Sequence, residues 1–311
     1  YRDWVISALN ADLPYDRFVH LQLAADEIAP DDKAAQMATG YLLAGPDMPD
    51  INLLEERRHS FLNSMTGTIG QTFLALTLGC AQCHDHKTDP VSIRDFYRLR
   101  GVFADTTAKM KPNKQLGHAV RRRDSNDLRS FVMVRGDFRD PGDAIVPDSP
   151  RVLNRRSSRI TKPSQAMRRA DFARWLTQPD HPLTARVIVN RLWQQHFGRG
   201  LVSSAGDFGH TGERPSHPDL LDWLATELPA RDWSLKAMHH LMVTSHTYRQ
   251  ASHGNTAAWK QSLTLDASNE LLSRMLRRRL EGEAIRDTFL ASSGQLNRKA
   301  GARGRGPCAG A

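Results

Sequence analysis

The chain has 311 residues, 40% of them hydrophobic and 25% charged, with a net charge of +9. That composition is ordinary for a globular protein and excludes a low-complexity or collagen-like chain. No run approaches the roughly 18 apolar residues that span a bilayer, and three cysteines do not make a disulfide framework.

Residues 1–105 read as helical. Tyr1 to Asn10 carries Trp4, Val5, Ala8 and Leu9 at helical spacing, and Leu13-Pro14 breaks it. Asp16 is expected to cap a second helix through Phe18, Val19, Leu21, Leu23 and Ala24, ending near Pro30. Leu53 to Leu78 is the long element, charged in its first half and apolar from Phe61 through Met65, Ile69, Phe73, Leu76 and Leu78. It leads directly into Cys80-Ala81-Gln82-Cys83-His84. Ser92 then caps a helix from Arg94 to Phe103. The chain opens without an initiator Met or a basic n-region, so it reads as an internal fragment whose compartment is not given by a leader.

Residues 106–163 change character and are expected to form an irregular, β-containing connector. Phe131 to Arg135 is a short β-like run ending at Gly136-Asp137, and Pro141-Gly142 and Pro147 mark turns. Arg151 to Arg169 holds seven Lys or Arg and no acid. A solvated linker is the plain reading of that stretch; nucleic-acid binding is the weaker one.

Helices return over 164–297. Ala185 to Phe197 is stopped by Gly198 or Gly200. Ser216 is expected to cap a helix with Pro218 in its first turn and Leu221, Leu224, Ala225 and Leu228 on one face. Ser234 caps the next, with Leu235, Met238, His239, Met242 and His246 aligned. A last helix is expected from about Asn269 to Ser292, and the Gly-rich tail 298–311, with Cys308, as disordered. The fold class is mainly α: two helical domains joined by a small irregular connector.

The chemistry concentrates at Cys80, Cys83 and His84. C-x-x-C-H supplies two thiols for thioether bonds to a porphyrin and an adjoining imidazole as proximal iron ligand. Zinc is the rival, with Cys80, Cys83, His84 and His86 as ligands. Adjacent Cys83 and His84 suit one tetrahedral ion poorly. A redox dithiol or a chance match is the third reading. Asp85 and Asp89 are candidates to accept the His84 N–H, and His86 to orient the site; turn capping before Pro90 is the alternative. Met65 is a candidate sixth ligand, against the ordinary role of a Met in a helix core; His59, Met110 and His118 are other candidates. The seven histidines from His181 to His246 show no metal motif. Asp207, Glu213, Arg214 and His217 gather polar chemistry in one loop, a candidate functional surface.

Several longer stretches carry a family likeness. Ala75 to Pro90 (ALTLGCAQCHDHKTDP), ARWLTQPDHPLTARVIVNRLWQQHFGRGLV, DFGHTGERPSHPDLLDWLATEL, WSLKAMHHLMVTSHTYRQAS and RRRLEGEAIRD resemble the planctomycete cytochrome-associated proteins of unknown function. These pair a PSCyt-type domain with a C-terminal PSD-type domain. The resemblance covers about 1–105 and 165–297, and RGDFRDPGD resembles the segment between the domains. It implies an exported, extracytoplasmic protein, often with a separate cytochrome-c-like domain in full-length members. It places covalent haem c on Cys80 and Cys83, with His84 as axial ligand. Thr88 departs from an expected aromatic and Gly206 from an expected Asn. Electron transfer to a redox partner, acidic to match the basic chain, is the expected role. A scaffold holding zinc or no metal, or an enzyme acting on polysaccharide through Glu213 or His217, are the alternatives.

Overall fold

The computed structural model describes residues 1–45, 50–108, 120–122, 130–154 and 166–297. Helices dominate among them. α1 (Arg2–Asn10) and α2 (Tyr15–Ile28) are followed by the short α3 (Lys33–Gln36) and a 3-10 turn, Met37–Leu43. α4 (Leu54–Ile69) leads through a π-helical turn, Gly70–Leu74, to the 3-10 turn Leu78–Gln82, and α5 (Ile93–Val102) closes the first unit. Two antiparallel pairs follow, β1 (Thr106–Ala108) with β2 (Val120–Arg122) and β3 (Ser130–Met133) with β4 (Pro141–Ile145). The second unit holds α6 (Arg169–Leu176), α7 (Thr184–Phe197), α8 (Pro218–Ala230), α9 (Leu235–Thr244), α10 (Ala257–Leu265) and α11 (Gly282–Ser292). The mainly α architecture with a small β-containing connector is as the sequence implied.

Local chemistry explains where several helices begin and end. Ser92 accepts the Asp95 N–H while the Asp95 carboxylate accepts the Ser92 N–H, a reciprocal capping box that starts α5. Ser234 caps α9 by accepting the Ala237 N–H. Gly198, at φ +87°, stops α7.

Other boundaries correct the sequence reading. α2 starts after Pro14, and the Asp16 carboxylate accepts the Arg17 N–H instead of capping. The long helix does not reach Leu78. Ala75 takes a left-handed conformation at φ +49°, and the Leu78 side chain packs so close to Gly70 that any side chain there would strike it. Pro141-Gly142 belongs to β4, and the turn of the hairpin lies before it. His217 occupies the position before α8, and Ser216 Oγ donates to the Leu201 carbonyl instead of capping. α9 ends before His246. The last helix begins at Gly282, because Asn269 and Leu272 sit at φ +54° and +56° and interrupt any helix from 269. Met110, His118, Cys308, most of the basic stretch and the tail 298–311 lie outside the described residues.

One hydrophobic core runs through both units. It includes Val19, Leu23, Leu62, Phe73, Phe96 and Phe103 from the first, and Phe172, Trp175, Leu192, Leu224 and Met242 from the second. α2 packs on α6 through Arg169, whose side chain is 0% exposed. Its guanidinium donates to the Leu23 carbonyl (2.9 Å) and to both Asp26 oxygens (2.8 and 2.6 Å), and lies 3.3 Å from Glu27. Arg191 of α7 donates to the Thr72 and Gln71 carbonyls (2.5 and 2.8 Å), tying the π-helical turn to the second unit. Phe208 N–H to the Ala75 carbonyl adds a third stitch, 2.7 Å long.

Candidate functional site

The two thiols sit where the backbone tightens. The left-handed Ala75 turns the chain out of α4, and the 3-10 turn Leu78–Gln82 buries Leu78 and Ala81 while leaving Cys80 and Cys83 exposed. Tyr97 of α5 holds this turn by donating to the Gln82 carbonyl (3.1 Å). Opposite Cys83 lies Gly136, at φ +79°; a Cβ there would stand 2.6 Å from the Cys83 sulfur. Only glycine meets both demands, the positive φ and the close approach.

His84 is exposed, and its Nδ1 lies 2.7 Å from the Asp85 carbonyl. A carbonyl only accepts, so Nδ1 carries the proton and Nε2 keeps its lone pair. Tying one ring nitrogen to a carbonyl is how proteins prepare an imidazole to ligate a metal through the other.

The neighbouring residues divide differently from the sequence expectation. The Asp85 carboxylate accepts the Ile93 N–H (2.8 Å) at the start of α5, so only its backbone serves His84. His86 is locked by Thr77 at Nε2 (3.1 Å) and by the Asp89 N–H at Nδ1 (2.9 Å). Asp89 does not reach His84. Its side chain is 2% exposed and accepts the backbone N–H of His210 (2.6 Å) and the His210 ring (3.2 Å).

Met65 is buried in the core and lines a small cavity with Tyr41, Leu42, Phe61 and Ile69, not the cleft beside Cys83. A sixth-ligand role does not suit that position. The cleft beside Cys83 is open and polar, lined by His59, Asn63, Gln71, Gln82, Gly79 and Gly136. A second open hollow, lined by Arg191, Gln194 and Gly206, shares Gln71 with it. His59 hydrogen-bonds Asn63 (2.8 Å) and accepts from Arg100 (3.2 Å). Burial, reinforced by the Arg100 charge, pushes its pKa down to about 4, so the ring is neutral.

The donor set can be tested against the two cofactor readings. Four-ligand zinc does not fit, because both His86 nitrogens are already engaged. Among the described residues, no group of three or more His, Cys, Asp or Glu gathers as a metal site. Covalent haem fits the donors: two free, exposed thiols and an exposed imidazole with one nitrogen unengaged. Thioether bonds do not need an apolar pocket to retain the group, so polar walls do not exclude it. Among the described residues, no helix is long and apolar enough to cross a membrane.

The loop Asp207 to His217 was legible as polar, but the structure singles out a different residue within it. Glu213 is held through its backbone by Ser204 (2.8 Å), and the His217 ring pairs with its neighbour Ser216 (3.0 Å). His210 is the member whose side chain is joined to the first unit, beside the backbone bond from Phe208 to Ala75. No local signal marks that pairing, since its partners lie 121 residues apart.

Residues 1–108 match the family model PSCyt2, described as a protein of unknown function (DUF1549). Residues 168–309 match PSD1, likewise described as a protein of unknown function (DUF1553). The chain thus pairs a PSCyt2 domain with a PSD1 domain, in that order. No curated protein and no solved structure matches it.

Proposed function

We propose that Cys80, Cys83 and His84 attach one haem c and that the chain transfers electrons through it. The observation that carries this reading is the prepared His84, with Nδ1 bound to the Asp85 carbonyl and Nε2 unengaged, beside two free exposed thiols. When bound, the haem would supply a one-electron couple whose potential is set by its axial ligands and exposure. The chain's own residues would do the rest: Cys80 and Cys83 hold the group, His84 orients towards iron, and the Asp85 carbonyl fixes its tautomer. The net charge of +9 suits an acidic redox partner. An extracytoplasmic location belongs to the same reading, through the resemblance that carries the motif.

The test is a pyridine haemochrome spectrum of denatured protein, after co-expression with haem-maturation machinery. Haem retained covalently in the wild type and lost in Cys80→Ala/Cys83→Ala supports the reading. Denatured protein that shows free thiols and no haem absorbance, despite competent maturation, overturns it and leaves a dithiol.

A further inference from the structure

Outside the thiol site, one imidazole is anchored on a buried carboxylate and yet presented to solvent. His210 is 70% exposed at its side chain, yet its Nδ1 lies 3.2 Å from Asp89, a carboxylate that is only 2% exposed. The carboxylate accepts only, so Nδ1–H donates and the Nε2 lone pair is left outward. Asp89 is itself fixed. It accepts the His210 backbone N–H at 2.6 Å, and its own N–H donates to His86. Gly209 lies flat against the carboxylate, where any side chain would strike its oxygens. The loop is further braced by the Asp207 carboxylate, which accepts from Gly209 N–H and Thr211.

The loop needs no imidazole to dock. The backbone hydrogen bond already joins it to Asp89, and an exposed ring adds no packing. The ring is instead held in one tautomer by a buried carboxylate, the arrangement that makes histidine a proton acceptor in catalysis. We propose that His210 is the general base of a hydrolytic site and Asp89 its positioning residue, with carboxylic esters as the substrate class.

Water attacks the ester carbon as its proton passes to Nε2. The carbon–oxygen bond to the leaving group breaks, and the imidazolium returns that proton to the departing oxygen. One shuttled proton completes the reaction for an oxygen leaving group. The open position suits an ester presented on a surface. This inference does not rest on haem attachment.

The test uses the full chain and p-nitrophenyl acetate. Because His210 is exposed, His210→Gln is expected to fold. It should lower hydrolysis about a hundredfold, the lower end of what general-base catalysis contributes. His253→Gln, an exposed histidine outside the site, should leave the rate unchanged. Asp89→Asn should lower kcat with KM held. Diethyl pyrocarbonate with peptide mass mapping gives an independent reading in the wild type, where His210 should be modified faster than His253. The proposal is overturned if the wild type does not hydrolyse the ester, if His210→Gln keeps the wild-type rate, or if His210 is modified no faster than His253.

Discussion

His181 makes the protein's stability depend on pH in a calculable way. Its Nδ1 accepts the backbone N–H groups of Leu183 (3.3 Å) and Thr184 (3.2 Å) and pairs with the Thr184 hydroxyl (3.0 Å), which caps the start of α7. The ring is 6% exposed and packs edge to face on Trp175, centroids 4.5 Å apart. Nδ1 must stay unprotonated to do this, and burial pushes the pKa down to about 3. The folded pKa therefore lies below the unfolded value of about 6.5. The contribution is complete above pH 6.5 and is lost as pH falls from there towards 3. Between pH 7.5 and pH 5 the loss is about 1.5 pH units at 1.36 kcal/mol each, or about 2 kcal/mol.

His181→Asn keeps an acceptor near the Nδ1 position but cannot titrate. It loses the ring packing against Trp175 and should be less stable at pH 7.5 by about 1–3 kcal/mol. Urea unfolding of both proteins at pH 7.5 and pH 5 supplies the comparison, with the unfolding slopes checked for equality. His59, also held neutral by burial, titrates the same way in both proteins and cancels. The wild type should lose about 2 kcal/mol more than the variant on acidification. An equal loss in the two proteins would refute the capping argument.

Two further outcomes follow from close contacts. Arg169→Met leaves Asp26 and Glu27 without their buried cation and should cost about 3–5 kcal/mol in urea unfolding; a cost near zero would show that the network relaxes freely. Gly136→Ala forces a Cβ into positive φ and against the Cys83 sulfur, at about 1–3 kcal/mol. It should also change the rate at which iodoacetamide alkylates Cys83 while leaving Cys80 alone. Unchanged stability together with an unchanged Cys83 rate would count against the close approach.

The residues explain what was legible in the sequence. Ser92 and Ser234 announce helix starts because capping acts over three residues, within the span that a pattern can show. C-x-x-C-H is legible for the same reason. Asp16 and Ser216 carry the same chemistry but spend it elsewhere, on Arg17 and on Leu201, and only tertiary structure decides that. The break at Ala75 is unreadable because no glycine or proline marks it; packing of Leu78 against Gly70 accompanies the turn. The apolar stretch after Asn269 looks helical, yet left-handed residues at 269 and 272 interrupt it. Asp89 and His210 are individually visible, but their pairing exists only after the two units dock.

The Arg169 contact also bears on how the chain folds. Leu23 and Arg169, joined by one hydrogen bond, are 146 residues apart. Closing a loop of that length costs about 4 kcal/mol of chain entropy before any contact is gained. The interface that repays this is the shared core, so α2 completes its burial only when α6 arrives. The family matches divide the sequence near residue 108 and again near 168, but the hydrophobic core crosses that division. Neither half, expressed alone, would own a finished interior, and the chain should unfold in a single transition.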